Sequence, residues 1–578
     1  MDRQKPLHAS RRSLCAAIFV SCILSTFVYA QNTCPRLPAG SIAQSPEDLY
    51  SANGVLTVTF SYRTFVDANG LTRYCYINSD GRQSPTLHVN PGDRIVMTLK
   101  NDVPDNGQPM DMPGMTMSDS SGATVCGATT MTAASVNVHF HGTNSPPTCH
   151  QDEVIHTIVN SGETFTYNLP IPANEPPGLY WYHPHIHGMA DQAMMGGASG
   201  AIVVEGIQNL NQAVAGLPQQ ILVFRDNMIP ASHLPAGGRP ASAPTLDLSV
   251  NYVPIPYPRY TPAIVQMQAG KKQFWRVVNA SADTVLDLQV KYDTAVQTLG
   301  VVALDGVPTG SQDGTQQGKT INKTDILLPP GGRAEFILNG PAATVKHATL
   351  FTLPVDTGVG GYSEPQRSLI TIKTPAAHQI PVQRVSNVFS RPNAQRFAGL
   401  ATAPVAAERK LYFSEDHNGF YITVDGQTPE VFNPNNPPAI TTTNGTTEDW
   451  TIENHATDVH EFHIHQIHFL LLERNGVPVS VQDKQTLDTI QIPYWTGTGP
   501  YPSVKVRMDF RGPDVGQFVY HCHIMSHEDF GMMAIIQVNP PSQAKAPAQK
   551  PDSAAKAEEL PADPVETSHA GRAGGGLY

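Results

Sequence analysis

The chain has 578 residues, 37 basic and 49 acidic, giving a net charge of −12, and only 15% are Asp, Glu, Lys or Arg, against roughly 25% in ordinary soluble domains. The negative charge excludes nucleic acid and an anionic membrane surface as partners, and beyond the first 30 residues no apolar run approaches the roughly 20 needed to span a bilayer. The length exceeds a single core, and 46 glycines with 50 prolines favour a turn-rich, all-β chain of three units of about 170 residues each.

Residues 1–30 read as a secretory leader. Arg3, Lys5, Arg11 and Arg12 precede an apolar run from Leu14 to Val28, and Val28-Tyr29-Ala30 ends it with a small residue. Ser10-Arg11-Arg12-Ser13-Leu14 partly matches a twin-arginine signal, so Sec and twin-arginine export both stand. The expected location is periplasmic or secreted. Cleavage after Ala30 leaves Cys34, Cys75, Cys126, Cys149 and Cys522. In an oxidising compartment the first four make two disulfides, with three connectivities that the sequence does not separate. Cys522 stands apart among histidines, where metal ligation would protect an unpaired thiol.

Three segments repeat a pattern of Gly, apolar positions and Asn: Gly92 to Asn101, Gly270 to Asn279 and Gly445 to Asn454. Their glycines recur at near-equal steps of 178 and 175 residues. Each alternates apolar and polar residues after a turn signal, as does a strand half buried in a sandwich. The repeat points to three homologous β-sandwich domains: 31–207, 208–375 and 409–540, with a linker at 376–408 and a disordered tail at 541–578.

The histidines make the three units unequal. His139/His141 and His183/His185 fall in the first, His463/His465 and His521/His523 in the third, and the matching stretch of the second, Val285 to Val290, carries none. Residues i and i+2 of a strand share a face, so each His-X-His pair aims two imidazoles into one space. Four unrelated surface pairs would not fall at repeat-equivalent positions. Tyr182-His183-Pro184-His185 also aligns with Tyr520-His521-Cys522-His523, and Met194-Met195 with Met532-Met533, so the first unit reads as a copper domain that has lost its thiolate. The second reads as a spacer.

A separate set surrounds Cys522: His460, His527 and Met532. Two imidazoles, a thiolate and a thioether form a blue-copper electron-transfer set. Zinc favours four strong ligands and leaves eight further histidines unexplained.

The motifs HFHG at 139–142, WYHPH at 181–185, HEFHIH at 460–465 and HCHIMSHEDFGM at 521–532 closely resemble those of the three-domain multicopper oxidases, which include laccases, bacterial cuprous oxidases and bilirubin oxidases. The resemblance implies three cupredoxin-like Greek-key β-sandwich domains and four copper ions. His460, Cys522, His527 and Met532 would hold type 1 copper, and His139 with His463 type 2. His141, His183 and His523 would hold one type 3 ion, and His185, His465 and His521 the other. It further implies a laccase-like enzyme, expected as a monomer, that oxidises phenols, aromatic amines or Cu(I) one electron at a time and reduces O2 to water. A cuprous or metal-ion oxidase is the alternative. A non-enzymatic copper or electron carrier would not need the trinuclear ligand set, and a copper-free paralogue would be expected to lack Cys522 or several histidines. Glu461 stands where the family usually has proline, and Gln466 where it usually has glycine.

Oxygen reduction consumes protons, so acids are expected near the cluster. The resemblance implies that role for Asp152, with Glu153 as its substitute, and for Glu528. Met110, Met112, Met115 and Met117 crowd into eight residues; thioethers suit Cu(I), but the favoured reading is a polar loop with incidental methionines. His150, His156, His187, Met189 and His468 match no ligand position and are expected to pack or to support ligands.

Overall fold

The computed structural model describes residues 34–105, 126–310, 318–375, 383–386 and 396–541. The leader, the Met110–Met117 segment, part of the linker at 376–408 and almost all of the tail lie outside these residues. Strands dominate, in six main sheets. Among the described residues no helix is long and apolar enough to cross a membrane.

Three hydrophobic cores each join two sheets. In the first, Thr72–Asn78, Val55–Val66, Arg94–Asn101 and Thr164–Pro170 face a five-stranded sheet holding His139–His141, Gly178–His183 and Gly200–Val204, across Phe60, Leu99, Phe140 and Tyr182. The second is built from eight- and six-stranded sheets around Trp275, Phe336 and Leu350. In the third, a seven-stranded sheet faces one ordered Ile440–Thr443, Met533–Asn539, Gly516–Cys522, His460–Ile464, Thr489–Ile492, with Trp450, Phe462 and Tyr520 between them. Fully burying one such aromatic side chain is worth about 1.5–3 kcal/mol.

The sequence repeat has a structural cause at both ends. Gly92, Gly270 and Gly445 all adopt positive φ, at +92°, +63° and +94°, a region that costs glycine nothing. The strands that follow, Arg94–Asn101, Lys272–Asn279 and Thr447–Asn454, each pair in parallel with the preceding long strand of their unit. The terminal asparagines are buried cross-braces. Asn101 Nδ2 donates to the carbonyls of Ala134 (2.6 Å) and Val159 (2.9 Å), Asn279 Nδ2 to those of Thr284 and Leu328, and Asn454 Nδ2 to that of Asp458 (2.8 Å). Each Oδ1 accepts the N–H two residues on, so no polar atom of the amide is wasted. In the third unit this brace fixes the chain two residues before His460.

The disulfides pair Cys34 with Cys75 and Cys126 with Cys149, and Cys522 is the free cysteine among the described residues. Within the expected linker, Phe397 and Leu400 are buried against Leu470, and a strand runs Val405–Asp416.

Candidate metal centre

Strand register brings the histidines together. His139 lies opposite His183 where His139–His141 pairs with Gly178–His183, and His463 lies opposite His521 where His460–Ile464 pairs with Gly516–Cys522. The two units meet with these strands face to face. His139 stacks on His465 with ring centres 3.7 Å apart, and His141 on His463 at 4.0 Å. All eight rings are buried.

Backbone carbonyls orient the rings. His183 Nδ1 bonds the carbonyl of Pro184 (2.8 Å) and His521 Nδ1 that of Cys522 (2.9 Å), a repeat-equivalent pair. His463 Nδ1 bonds the carbonyl of Asp488 at 2.8 Å. The other nitrogens turn inward, and Nε2 of His139, His183 and His463 is buried without a hydrogen-bond partner. The Nε2 atoms of His185, His465 and His521 form a triangle with sides of 3.1, 3.2 and 3.3 Å. Imidazole nitrogens bound about 2.0 Å from one metal ion span such distances. His141, His183 and His523 form a second group, and His139, His141 and His463 a third. Burial and the neighbouring imidazoles push His139, His141, His463, His465 and His523 toward the neutral form, as they do His183, down to about 3, and His185, to about 4, the state in which imidazole binds a metal.

At the second site, Cys522 Sγ lies 3.6 Å from His460 Nδ1 and 3.8 Å from His527 Nδ1, and those nitrogens are 3.1 Å apart. Met532 is buried in the same core, its N–H on the His527 carbonyl and its carbonyl accepting from Cys522 N. Burial pushes the Cys522 thiol well above its ordinary range, so the thiolate needs a cation. The donor set, soft sulfur with imidazole, fits copper.

Asp152 is buried. Its Oδ1 contacts His139 Nδ1 (3.0 Å) and accepts from Phe140 N (2.9 Å), and its Oδ2 accepts from Gln466 Nε2 at 2.7 Å. Burial raises its carboxyl to about 8 despite these bonds. Glu153 instead serves its own turn, accepting from His156 N and Thr157 Oγ1. Glu528 lies 3.0 Å from His521 Nδ1 and 3.6 Å from His185 Nε2. Burial opposes its ionisation, but those two imidazoles outweigh it and hold the carboxyl below its usual range.

Two charged residues at the cluster escaped the motif reading. Asp488 Oδ1 lies 3.4 Å from His141 Nε2, and Arg333 of the second unit grips both Asp488 oxygens, Nη1 to Oδ1 at 2.6 Å. A Cβ on Gly331 would sit 2.8 Å from the His523 ring. The second unit therefore forms a wall of the site; it is more than the spacer its lack of histidines suggested. Of the supporting histidines, His468 bonds the carbonyl of Asp305, His150 stacks on Phe165, and His156 pairs with Glu153.

Two multicopper oxidase domain models match the chain, at residues 128–209 and 403–542, which hold all twelve motif positions. The chain belongs to the multicopper oxidases. A curated relative, a laccase of Bacillus subtilis, is 22% identical over 412 residues, 64% of this chain and 72% of the relative. Among solved structures, the multicopper oxidase of Aquifex aeolicus is 20% identical with a TM-score of 0.61, covering 87% of this chain and 100% of that one. One from Campylobacter jejuni, described as a metallo-oxidase, is also 20% identical with a TM-score of 0.61, covering 87% and 96%. At these identities the solved structures speak for the fold alone. This multicopper oxidase is a copper-dependent oxidoreductase with O2 as its acceptor.

Proposed function

We propose that this oxidase takes single electrons from small phenolic or aromatic-amine donors beside His527 and reduces O2 to water at a three-copper cluster between its first and third units. The observation that carries the reading is the enclosed ring of eight inward-facing imidazoles beside a separate Cys–His–His triangle. Four coppers, one type 1, one type 2 and two type 3, would supply one-electron oxidation of the donor and the four electrons that O2 requires. His460, Cys522, His527 and Met532 would hold the type 1 ion, and His139 with His463 the type 2. His141, His183 and His523 would hold one type 3 ion; His185, His465 and His521 the other.

The residues of the chain do the rest. Cys522 is bonded through the backbone to His521 and His523, so a short covalent span joins the two sites. Asp152 fixes the His139 ring and holds a proton beside it, and Glu528 faces His521 and His185. Burial of all eight rings excludes bulk water. At the rim, Phe420 stacks on His527 at 4.6 Å and Phe530, 67% exposed, lies beside it. Asp458 approaches Nε2 of both His460 (3.5 Å) and His527 (3.4 Å). An aromatic rim with one carboxylate suits a flat donor bearing an O–H or N–H.

Steady-state oxidation of a phenol, with and without excess Cu(II), alongside turnover of a Cu(I) complex, tests the reading. Robust phenol oxidation without added copper supports it. Copper-dependent activity with preferential Cu(I) turnover would favour a metal-ion oxidase instead. Cys522→Ser should abolish O2 consumption with either donor.

A further inference from the structure

A pocket of about 580 Å³ opens at the seam between the second and third units, within the span of small-molecule sites, roughly 300–1,000 Å³. Its walls are aliphatic: Leu304, Ile326 and Leu328 come from the second unit, and Leu471, Leu487 and Ile490 from the third. Leu327 also lines it, with 45% of its surface exposed. Among the described residues no aromatic ring lines the pocket, and it shares no residue with the rim formed by Phe420, Phe530, Asp458 and His527. Such walls suit a body of methylenes, whereas a flat aromatic ring finds nothing to stack on.

The acids of the lining are already engaged. Lys323 Nζ reaches across the seam to Asp483 Oδ1 at 2.6 Å, and Ser480 Oγ donates to Asp483 Oδ2 at 2.7 Å. Asp325 accepts from Thr324 Oγ1 at 2.8 Å, and Asp305 accepts from the N–H groups of Arg333, Asp488 and Thr489. Arg474 is the cation left over. Its Nη1 donates to the Gln491 carbonyl at 3.2 Å, and among the described residues it forms no ion pair, Glu461 and Asp483 acting on its charge from a distance. A guanidinium with N–H groups to spare is a ready seat for a carboxylate. One wall residue also leads toward Cys522. Gln491 Nε2 donates to Glu461 Oε1 at 3.0 Å, and Glu461 Oε2 is buried without a partner, so among the described residues Gln491 holds that side chain alone. Glu461 directly follows His460 of the Cys522 site.

We propose that this pocket binds a medium-chain aliphatic carboxylate, its chain against the leucine and isoleucine walls and its head on Arg474, and that the bound charge is felt at the Cys522 site through Gln491 and Glu461. The first part stands apart from the oxidase reading; the second rests on copper at Cys522. The methylenes gain by leaving water, and the guanidinium selects the head. A negative charge brought closer to a metal favours its higher oxidation state, so occupancy should lower the potential of the Cys522 site. A saturated carboxylate carries no easily removed electron and is therefore no rival donor.

Two measurements test this. The first is calorimetric titration of the copper-free full chain with decanoate, below its micellar concentration. Binding should saturate, weaken roughly tenfold in Arg474→Gln for the loss of a charge-assisted hydrogen bond, and weaken similarly when decanol replaces decanoate. Thr324→Trp, which puts a bulky ring into the pocket from an exposed position, should abolish it. No saturable binding in the wild type overturns the ligand class; decanol binding as tightly as decanoate overturns the seat on Arg474; and binding unchanged in both variants places the ligand elsewhere. The second is spectroelectrochemical titration of copper-loaded protein with saturating decanoate, in which the potential should fall in the wild type and stay put in Thr324→Trp. An unmoved potential in a protein that binds decanoate overturns the coupling alone. A wild-type chain that takes up no copper at Cys522 overturns the copper reading and leaves the calorimetric result standing.

Discussion

The backbone N–H of Glu461 points at Cys522 Sγ from 3.4 Å. The Glu461 carbonyl meanwhile accepts from His523 N at 2.8 Å, so one peptide segment touches both the sulfur and the strand leading to the imidazole cluster. Proline, the residue expected here from the family resemblance, has no N–H to offer. A hydrogen bond to the sulfur draws electron density from the thiolate and favours the reduced metal, one of the recognised controls on a blue-copper potential. Glu461→Pro should therefore lower the potential of the Cys522 site, by an amount set by one net hydrogen bond of about 0.5–1.5 kcal/mol. Glu461→Gln keeps the N–H and should not shift it. Spectroelectrochemical titration of both variants decides the matter, and equal shifts in the two would assign the effect to the side chain instead.

Gln466 takes φ +58°, a region where non-glycine residues are uncommon, which accounts for the glycine usual at this position. The strain is accompanied by a specific gain: Gln466 Nε2 bridges from the third unit to Asp152 Oδ2 and to the Asp152 carbonyl. Gln466→Gly should relieve the backbone yet free Asp152. Slower reoxidation by O2, with the blue absorption intact, is expected for it and more strongly for Asp152→Asn. Reoxidation at the wild-type rate in both variants would remove Asp152 from the oxygen chemistry.

What the sequence makes legible is local. His-X-His pairs announce themselves because a strand returns to the same face every second residue, and the Gly…Asn repeat because each copy carries its own turn and brace. The residues that escape notice act across long separations without a motif. Arg333 reaches Asp488 from 155 positions away, and nothing near either residue marks the encounter. Gln466 is visible only as a departure from glycine; its bond to Asp152 spans 314 positions. Disulfide partners likewise depend on how Cys34 and Cys126 are carried through the fold, which spacing does not encode. The second unit's part in the site was hidden for a related reason: it supplies a guanidinium and a glycine turn, not the histidines by which the site is recognised.

The Arg333–Asp488 pair is fully buried, and Asp488 in turn touches His141 and, through its carbonyl, His463. Removing one member of such a pair leaves an uncompensated charge, at a cost of about 3–5 kcal/mol. Arg333→Met should lower stability by about that amount and leave the imidazole cluster under-loaded with copper while the Cys522 site fills. Denaturant unfolding and metal analysis of the variant measure the two effects. Unchanged stability with full copper occupancy would show the pair to be dispensable.

A last prediction concerns pH. Asp191 of the first unit lies close to Asp529 of the third, whose carboxylate accepts from Ala190 N and Asp191 N, and the second unit adds Asp226, Asp283 and Glu364. Burial first, then the crowded carboxylates, raises Asp191 to about 7; burial raises Glu364 to about 8 against the opposing charge of Arg367. In the unfolded chain such groups titrate near pH 4. The folded state therefore holds these protons more tightly, and the associated stability is fully present below about pH 4 and is lost as pH rises through about 7 to 8. Thermal melts from pH 4 to 9 should show a midpoint that declines between about pH 4 and about pH 8 and levels off above it. Asp191→Asn, which cannot ionise, should decline less and gain on the wild type at pH 8. Parallel profiles for the two proteins would mean that Asp191 carries no linked proton.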